Sequence, residues 1–307
     1  MCTQTNLEHQ GRNRKSLLLS FWLNLLFSIL EAIGGLWTNS TAILTDAFHD
    51  FMDALSIGMA IQAEKLATRK RSAVFSYGYK RFSLLSAFVM SLILLIGAVF
   101  MAYKGIAGLH APKEINSLGM LLLALIGLGV NAFAFLKVRH GVGHHHAHHH
   151  GGGNLNTRAI MLHLLEDVLG WAAVLIGAGI MYLTGWYWMD GVLTLGIALF
   201  IGFNACKNLI RTLKIMLQAI PEHIHIDQVK TALLGLQGVV GIHDLHVWSL
   251  DGNYQVASLH VVIGDRIGFQ QQKEIRQQIQ GMLQQAGMQH PTIQMETSAE
   301  ACMFKSC

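Results

Sequence analysis

Two His-x-x-x-Asp motifs stand in apolar surroundings: His49 with Asp53, and His163 with Asp167. Residues four apart on a helix lie one turn above each other on the same face. Each motif therefore offers one imidazole nitrogen and one carboxylate oxygen toward a common point. Together they make an N2O2 set, which suits four-coordinate Zn(II), with Co(II) and Cd(II) as competitors. Ionisable groups within lipid-spanning helices are costly and mark functional positions. A single such residue could simply bond a neighbouring helix; two matched pairs call for a shared ligand. Asp46 lies near the face of His49 and is read as helping metal in or out. Asp50 and Glu166 are each rotated about 100° from a ligand, which suits bonds to the ligands or between helices. Glu31, Asn24 and Asp190 are read as interhelical polar bonds or a proton path.

The elements that must position these residues follow from composition. Of 307 residues, 52% are hydrophobic and only 13% charged, which points to a lipid environment. Apolar stretches over 17–37, 41–63, 82–103, 117–136, 157–183 and 187–205 each approach the ~20 residues that a bilayer core demands, predicting six transmembrane helices. The first is too long, and runs too far into Gly34 and Gly35, for a cleaved signal peptide. Arg12, Arg14, Lys15, Lys65, Arg69, Lys70, Arg71, Lys80, Arg81, Lys137, Arg139 and Arg158 fall on one side of such a topology, and only Lys104 and Lys113 on the other. By the positive-inside rule both termini are cytoplasmic. The formal charge of +4 fits this asymmetry and calls for no nucleic-acid partner. Depth gives an independent check. At ~1.5 Å per residue, His49 and Asp53 lie about 12 and 18 Å from the outer face of a ~30 Å core, and His163 and Asp167 about 21 and 15 Å.

Near Lys207 the apolar runs stop and Gln, Asp, His and Lys appear in short patterned segments. The expected division is a segment over 1–15, a six-helix domain over 16–206 and a cytoplasmic α/β domain over 207–307. In the last, a helical pattern over 221–236 precedes alternating runs over 242–250 and 254–263, joined by Asp251-Gly252-Asn253 as a hairpin turn. A Gln-rich helix over 269–286 and a strand over 292–296 complete an α-β-β-α-β order, which predicts a small ferredoxin-like sandwich. His243 and His260 can share a face of adjoining strands. Cys2, Cys302 and Cys307 fall on the reducing side, where metal or free thiol is expected rather than a disulfide. The loop over 140–153 carries His144, His145, His146, His148, His149 and His150 among glycines. A tract of this kind collects metal without imposing geometry.

The stretch over 39–55, which contains Asp46, His49, Asp50 and Asp53, resembles the second-helix signature of the cation diffusion facilitator family. The stretch over 162–170 is similar to its fifth-helix signature. His243-Asp244-Leu245-His246-Val247-Trp248-Ser249-Leu250 resembles the family's cytoplasmic strand, and Ile220-Pro221 the start of that domain. The resemblance covers nearly the whole chain. It implies a six-helix domain with a metallochaperone-like cytoplasmic domain, homodimerisation, and exchange of cytoplasmic metal for external protons. By motif match the transport ligands are His49, Asp53, His163 and Asp167. It also implies metal binding by His243, His260, His290 and Glu296 at or near the dimer contact, with Cys302 and Cys307 like a C-terminal cysteine pair of some relatives, though more widely spaced. His246 is a weaker candidate. Some members have a further loop site after the second helix; the stretch over 75–81 lacks the side chains it needs.

The resulting expectation is a zinc exporter of a multi-pass membrane, most simply the bacterial inner membrane, with a second zinc held in the cytoplasmic domain. Ligands must lose protons before metal binds and can regain them as it leaves, and histidine, with a pKa near 6.5, is the natural exchanger. A membrane-bound metalloenzyme of His-box type is the alternative, but it needs His-x-x-x-His spacing and an open coordination position. No such spacing occurs outside the tract. A metal sensor without transport would leave ligands at mid-membrane unexplained.

Overall fold

In the computed structural model, residues 2–67, 69, 71–142, 153–300 and 302 are described, except for the side chains of 2–17, 138–142, 153–160 and 163. The His-rich run over 144–150 and Cys307 lie outside them. Six long helices come first: α1 (Cys2–Thr38), α2 (Thr41–Ala67), α3 (Phe82–His110), α4 (Ser117–Val142), α5 (Gly153–Thr184) and α6 (Trp188–Met216). Among the described residues, α1, α3, α4, α5 and α6 each hold a stretch long and apolar enough to cross a membrane. The expectation was six such stretches. At 27 residues α2 is long enough, but Asp46, Asp50, Asp53, Glu64 and Lys65 dilute its apolar character.

Contacts divide the chain into two compact units, one of Met1–Ile61 with Val89–Lys207, the other of Gln62–Phe88 with Asn208–Cys307. The core of the first is built from Ala42 and Ile43 of α2, Met120 and Ala124 of α4, and Trp171, Val174, Ala178 and Met181 of α5. Small residues let these backbones approach, as packing in lipid requires. The clearest case lies between α3 and α6. A Cβ on Gly191 would stand 2.8 Å from the Gly105 carbonyl oxygen and 2.9 Å from the Leu109 nitrogen, so only glycine fits.

In the second unit, α7 (Ile226–Leu234), β1 (Val239–Ser249), β2 (Gln255–Ile263), α8 (Phe269–Gln285) and β3 (His290–Thr297) follow in the expected order. The sheet order is β1-β2-β3, with β1 antiparallel and β3 parallel to β2. Leu259, Val261 and Ile263 of β2 pack with Leu233 of α7 and Ile275, Ile279 and Leu283 of α8 into a fully buried core. Both helices thus cover one face of the sheet.

Several boundaries differ from expectation by a few residues or more, and two of them show why. The helix α6 runs on to Met216, past the end expected at Ala205, because a helix keeps its internal hydrogen bonds whether lipid or water surrounds it. It stops where Gln218 adopts φ 60°, with Ala219 N–H donating to the Lys214 carbonyl. The helix α7 starts at Ile226, later than the expected 221, because Ile224 N–H donates to the Pro221 carbonyl and closes a turn ahead of it.

Candidate metal centres

On α2, His49 Nε2 stands 3.7 Å from Asp53 Oδ2, with side chains 20% and 23% exposed. The other imidazole nitrogen, Nδ1, is buried and has no hydrogen-bond partner among the described residues. A buried polar atom without a partner carries a desolvation cost that a bound ion or proton would relieve. On α5, Asp167 is half-buried and lies within electrostatic reach of Asp46 and Asp50 of α2 and of Glu31 of α1. Asp50 in turn interacts with Asp53. Carboxylates from three helices therefore lie within electrostatic reach of one another, and Asp46 and Asp53 among them act on His49. Like charges so close in a low-dielectric setting are costly unless a cation or protons intervene. The backbone of His163 lies one turn before Asp167 on α5, its side chain being outside the described residues. Glu166 is exposed and stands apart from this group.

Glu31, only 4% exposed, belongs to the cluster more closely than its sequence position suggested. The one signal for it was an acid inside an apolar run. For Asp190 the structure selects the interhelical reading. Its carboxylate, 4% exposed at the start of α6, accepts hydrogen bonds from Ser40 Oγ (2.6 Å), Thr41 N (2.8 Å), Thr41 Oγ1 (2.5 Å) and Ala42 N (3.3 Å). It thus caps the first turn of α2 from a different helix, satisfying amides that would otherwise be orphaned.

The second group sits on the face of the three-stranded sheet opposite α7 and α8. The strand register places His243 of β1 directly across from His260 of β2, and Glu296 of β3 beside Val262, two residues on. All three side chains therefore project to the same side. His243 Nε2 lies 3.0 Å from Glu296 Oε2, and His260 Nδ1 lies 2.7 Å from Glu296 Oε1. Cys302, beyond β3, brings Sγ to 3.4 Å from His260 Nδ1. One ligand atom from each of the four can be chosen so that all lie within 4.8 Å of one another. A tetrahedral ion needs its ligand atoms about 3.5 Å apart, so modest side-chain rotation would close the site. Burial alone would raise the pKa of Glu296. Hydrogen bonds with Cys302 and His243, and the imidazoles of His260 and His243, outweigh it and hold the carboxyl below its usual range. That keeps the acid ionised as a ligand.

His290 and His246 stand outside this group. His290 is exposed, with its ring edge-on to Tyr77 at 6.1 Å, and His246 bonds Asp244 at 2.8 Å. Sequence reading missed Asp244 itself. It takes a left-handed backbone, φ 51°, at an irregularity between His243 and His246, and also faces His260 Nε2 at 3.8 Å.

Residues 17–217 match the family model of the cation efflux transmembrane domain, and residues 221–298 that of the cation efflux protein cytoplasmic domain. A cadmium, cobalt and zinc/H(+)-K(+) antiporter of Bacillus subtilis is 33% identical over 95% of this chain and 91% of its own length. The metal cation efflux system protein CzcD of Cupriavidus metallidurans is 29% identical over 94% and 88%. The zinc transporter ZitB of Yersinia pseudotuberculosis is 30% identical over 94% and 89%.

Proposed function

The chain belongs to the cation diffusion facilitator family of metal transporters, and from that premise we propose that it exports Zn(II) from the cytoplasm in exchange for protons, with Cd(II) and Co(II) as competing substrates. Membership in a transporter family sets aside the His-box enzyme. All six helices of 16–206 cross the membrane in this reading, α2 included, because Asp46, Asp50 and Asp53 are each partly buried within the protein and Glu64 lies near its end. Both termini and the domain over 207–307, of ferredoxin-like type, lie in the cytoplasm. The chain acts as a homodimer in a bacterial inner membrane.

The ligands of the carried ion are His49, Asp53, His163 and Asp167. The observation that carries this reading is that acids of α1, α2 and α5 lie within electrostatic reach of one another, with Asp46 and Asp53 against His49, whose Nδ1 has no hydrogen-bond partner among the described residues. Two anionic ligands neutralise the cation, and two imidazoles supply nitrogen donors suited to it. Facing the cytoplasm, deprotonated ligands take the metal; facing the more acidic outside, protons displace it. Access alternates as helices rock about the fixed site. Glu31 and Asp50 stand close enough to pass protons to it. In the cytoplasmic domain, His243, His260, Glu296 and Cys302 hold a second, resident zinc whose binding reports cytoplasmic metal.

The test is vesicle uptake by Asp53→Ala and Asp167→Ala in protein that is shown to be folded and inserted. Zinc transport is expected to fall to background in both. Uptake near the wild-type rate in both would remove the carboxylates from the site.

A further inference from the structure

Between Lys65 and Arg81 the sequence holds six cations and no acid. Part of this connection between α2 and α3 folds, within the second unit, around a cavity of about 480 Å³. It is lined by Val74, Phe75, Tyr77, Lys80, Arg81 and Trp248, among others. That volume falls in the range of small-ligand sites. The Lys80 ammonium is fixed 3.3 Å from the centroid of the Tyr254 ring, while Phe75 packs on Tyr79 and Phe82 at 5.0 and 5.6 Å. Among the described residues, neither Lys80 nor Arg81 lies within ion-pairing distance of a carboxylate. The cavity is therefore basic, partly aromatic and, among the described residues, without a carboxylate counter-charge.

Its setting narrows the anion. The connection ends where α3 begins, at Phe82, and α3 is long and apolar enough to cross a membrane. Val74 is 81% exposed and Tyr77 48%, so an apolar and aromatic rim flanks the two cations. Aromatic residues favour the headgroup level of a bilayer, and clustered Lys and Arg beside a spanning helix recognise anionic headgroups. A free phosphate would use the cations and leave the rim without a function. We propose that this cavity holds the phosphate-bearing headgroup of an anionic phospholipid, with Lys80 and Arg81 on the phosphate and Val74 and Phe75 against the first part of the acyl chains. The proposal rests on α3 crossing the membrane and on nothing about the transported metal.

The experiment is native mass spectrometry of the full chain in detergent, titrated with phosphatidylglycerol and, separately, with phosphatidylcholine, in metal-free buffer. Wild type should prefer phosphatidylglycerol. The double variant Lys80→Gln/Arg81→Gln should lose about 30-fold in its affinity, a factor of about five for each cation. Lys80→Arg/Arg81→Lys should retain it. Equal affinity of the glutamine variant and wild type for phosphatidylglycerol would overturn the proposal. So would a wild-type chain with no preference over phosphatidylcholine, a result that stands even if the glutamine variant fails to fold. Full displacement of phosphatidylglycerol by millimolar inorganic phosphate would assign the cavity to free phosphate and equally sink the lipid.

Discussion

At the scale of single residues, the proposed transport site depends on ligand type more than on position. In that proposal, His49 and His163 would contribute borderline nitrogen donors, which favour Zn(II) over the harder Mn(II). His49→Asp would leave three carboxylates and one imidazole, with more negative charge and a harder donor set. Competitive uptake at a fixed pH gradient should then show Cd(II) and Mn(II) gaining on Zn(II) relative to wild type. Unchanged ratios in a variant that still transports would mean that His49 does not touch the metal. The same scale shows what a sequence can and cannot reveal about a site. The spacing from His49 to Asp53 was legible because a helix fixes it, and the facing of His243 and His260 because strand alternation does. The place of Glu31 was not, because it depends on how α1 packs beside α2 and α5. The approach of Cys302 to His260 depends on the path of the chain after β3, which carries no period. Asp244 was hidden for a different reason: a left-handed backbone at a non-glycine residue is set by the surrounding strand and has no signature in side-chain type.

At the scale of elements, the starts of α2, α3, α4 and α6 were legible to within a residue. Ser117 opens α4 and Phe82 opens α3 where apolar patterning resumes after polar or Pro-containing stretches. Ends were less so, and α6 shows why: hydropathy marks a change of solvent, while the helix stops only when its backbone does. The join of α2 to α6 is the element-level contact with the clearest energetic content. Asp190→Ala would strip four donors, on Ser40, Thr41 and Ala42, of their acceptor. Loss of a helix cap costs about 1–2 kcal/mol. In a chain of this size that lowers Tm by about 2–4 °C per kcal/mol, readable in thermal unfolding of detergent-solubilised protein. Asp190→Asn, which keeps one acceptor oxygen, should lose less. Equal Tm values for wild type and Asp190→Ala would mean that the cap contributes nothing to the fold.

At the scale of the molecule, the transport path and the metal-collecting parts of the chain are proposed to act separately. By composition, six histidines among glycines would raise the local metal concentration without selecting among ions. Deleting 144–150 should therefore raise the metal concentration needed for half-maximal uptake while leaving the order of preferred metals as it was. Complete loss of transport in a well-expressed deletion would make the tract an obligatory part of the path. A different kind of whole-molecule consequence follows from two neighbouring residues at the start of α6. Asp190 grips the first turn of α2, and Gly191 lies against the backbone of α3 with no room for a side chain. Three helices are thus pinned at one end of their unit, as levers are at a fulcrum. A swing of α2 through about ten degrees around that point would displace Asp53 by about 3 Å and Ile61, the last residue of α2 in that unit, by about 5 Å, since leverage grows with helix length. If Asp53 binds the carried ion as proposed, a rotation this small would suffice to pull it away.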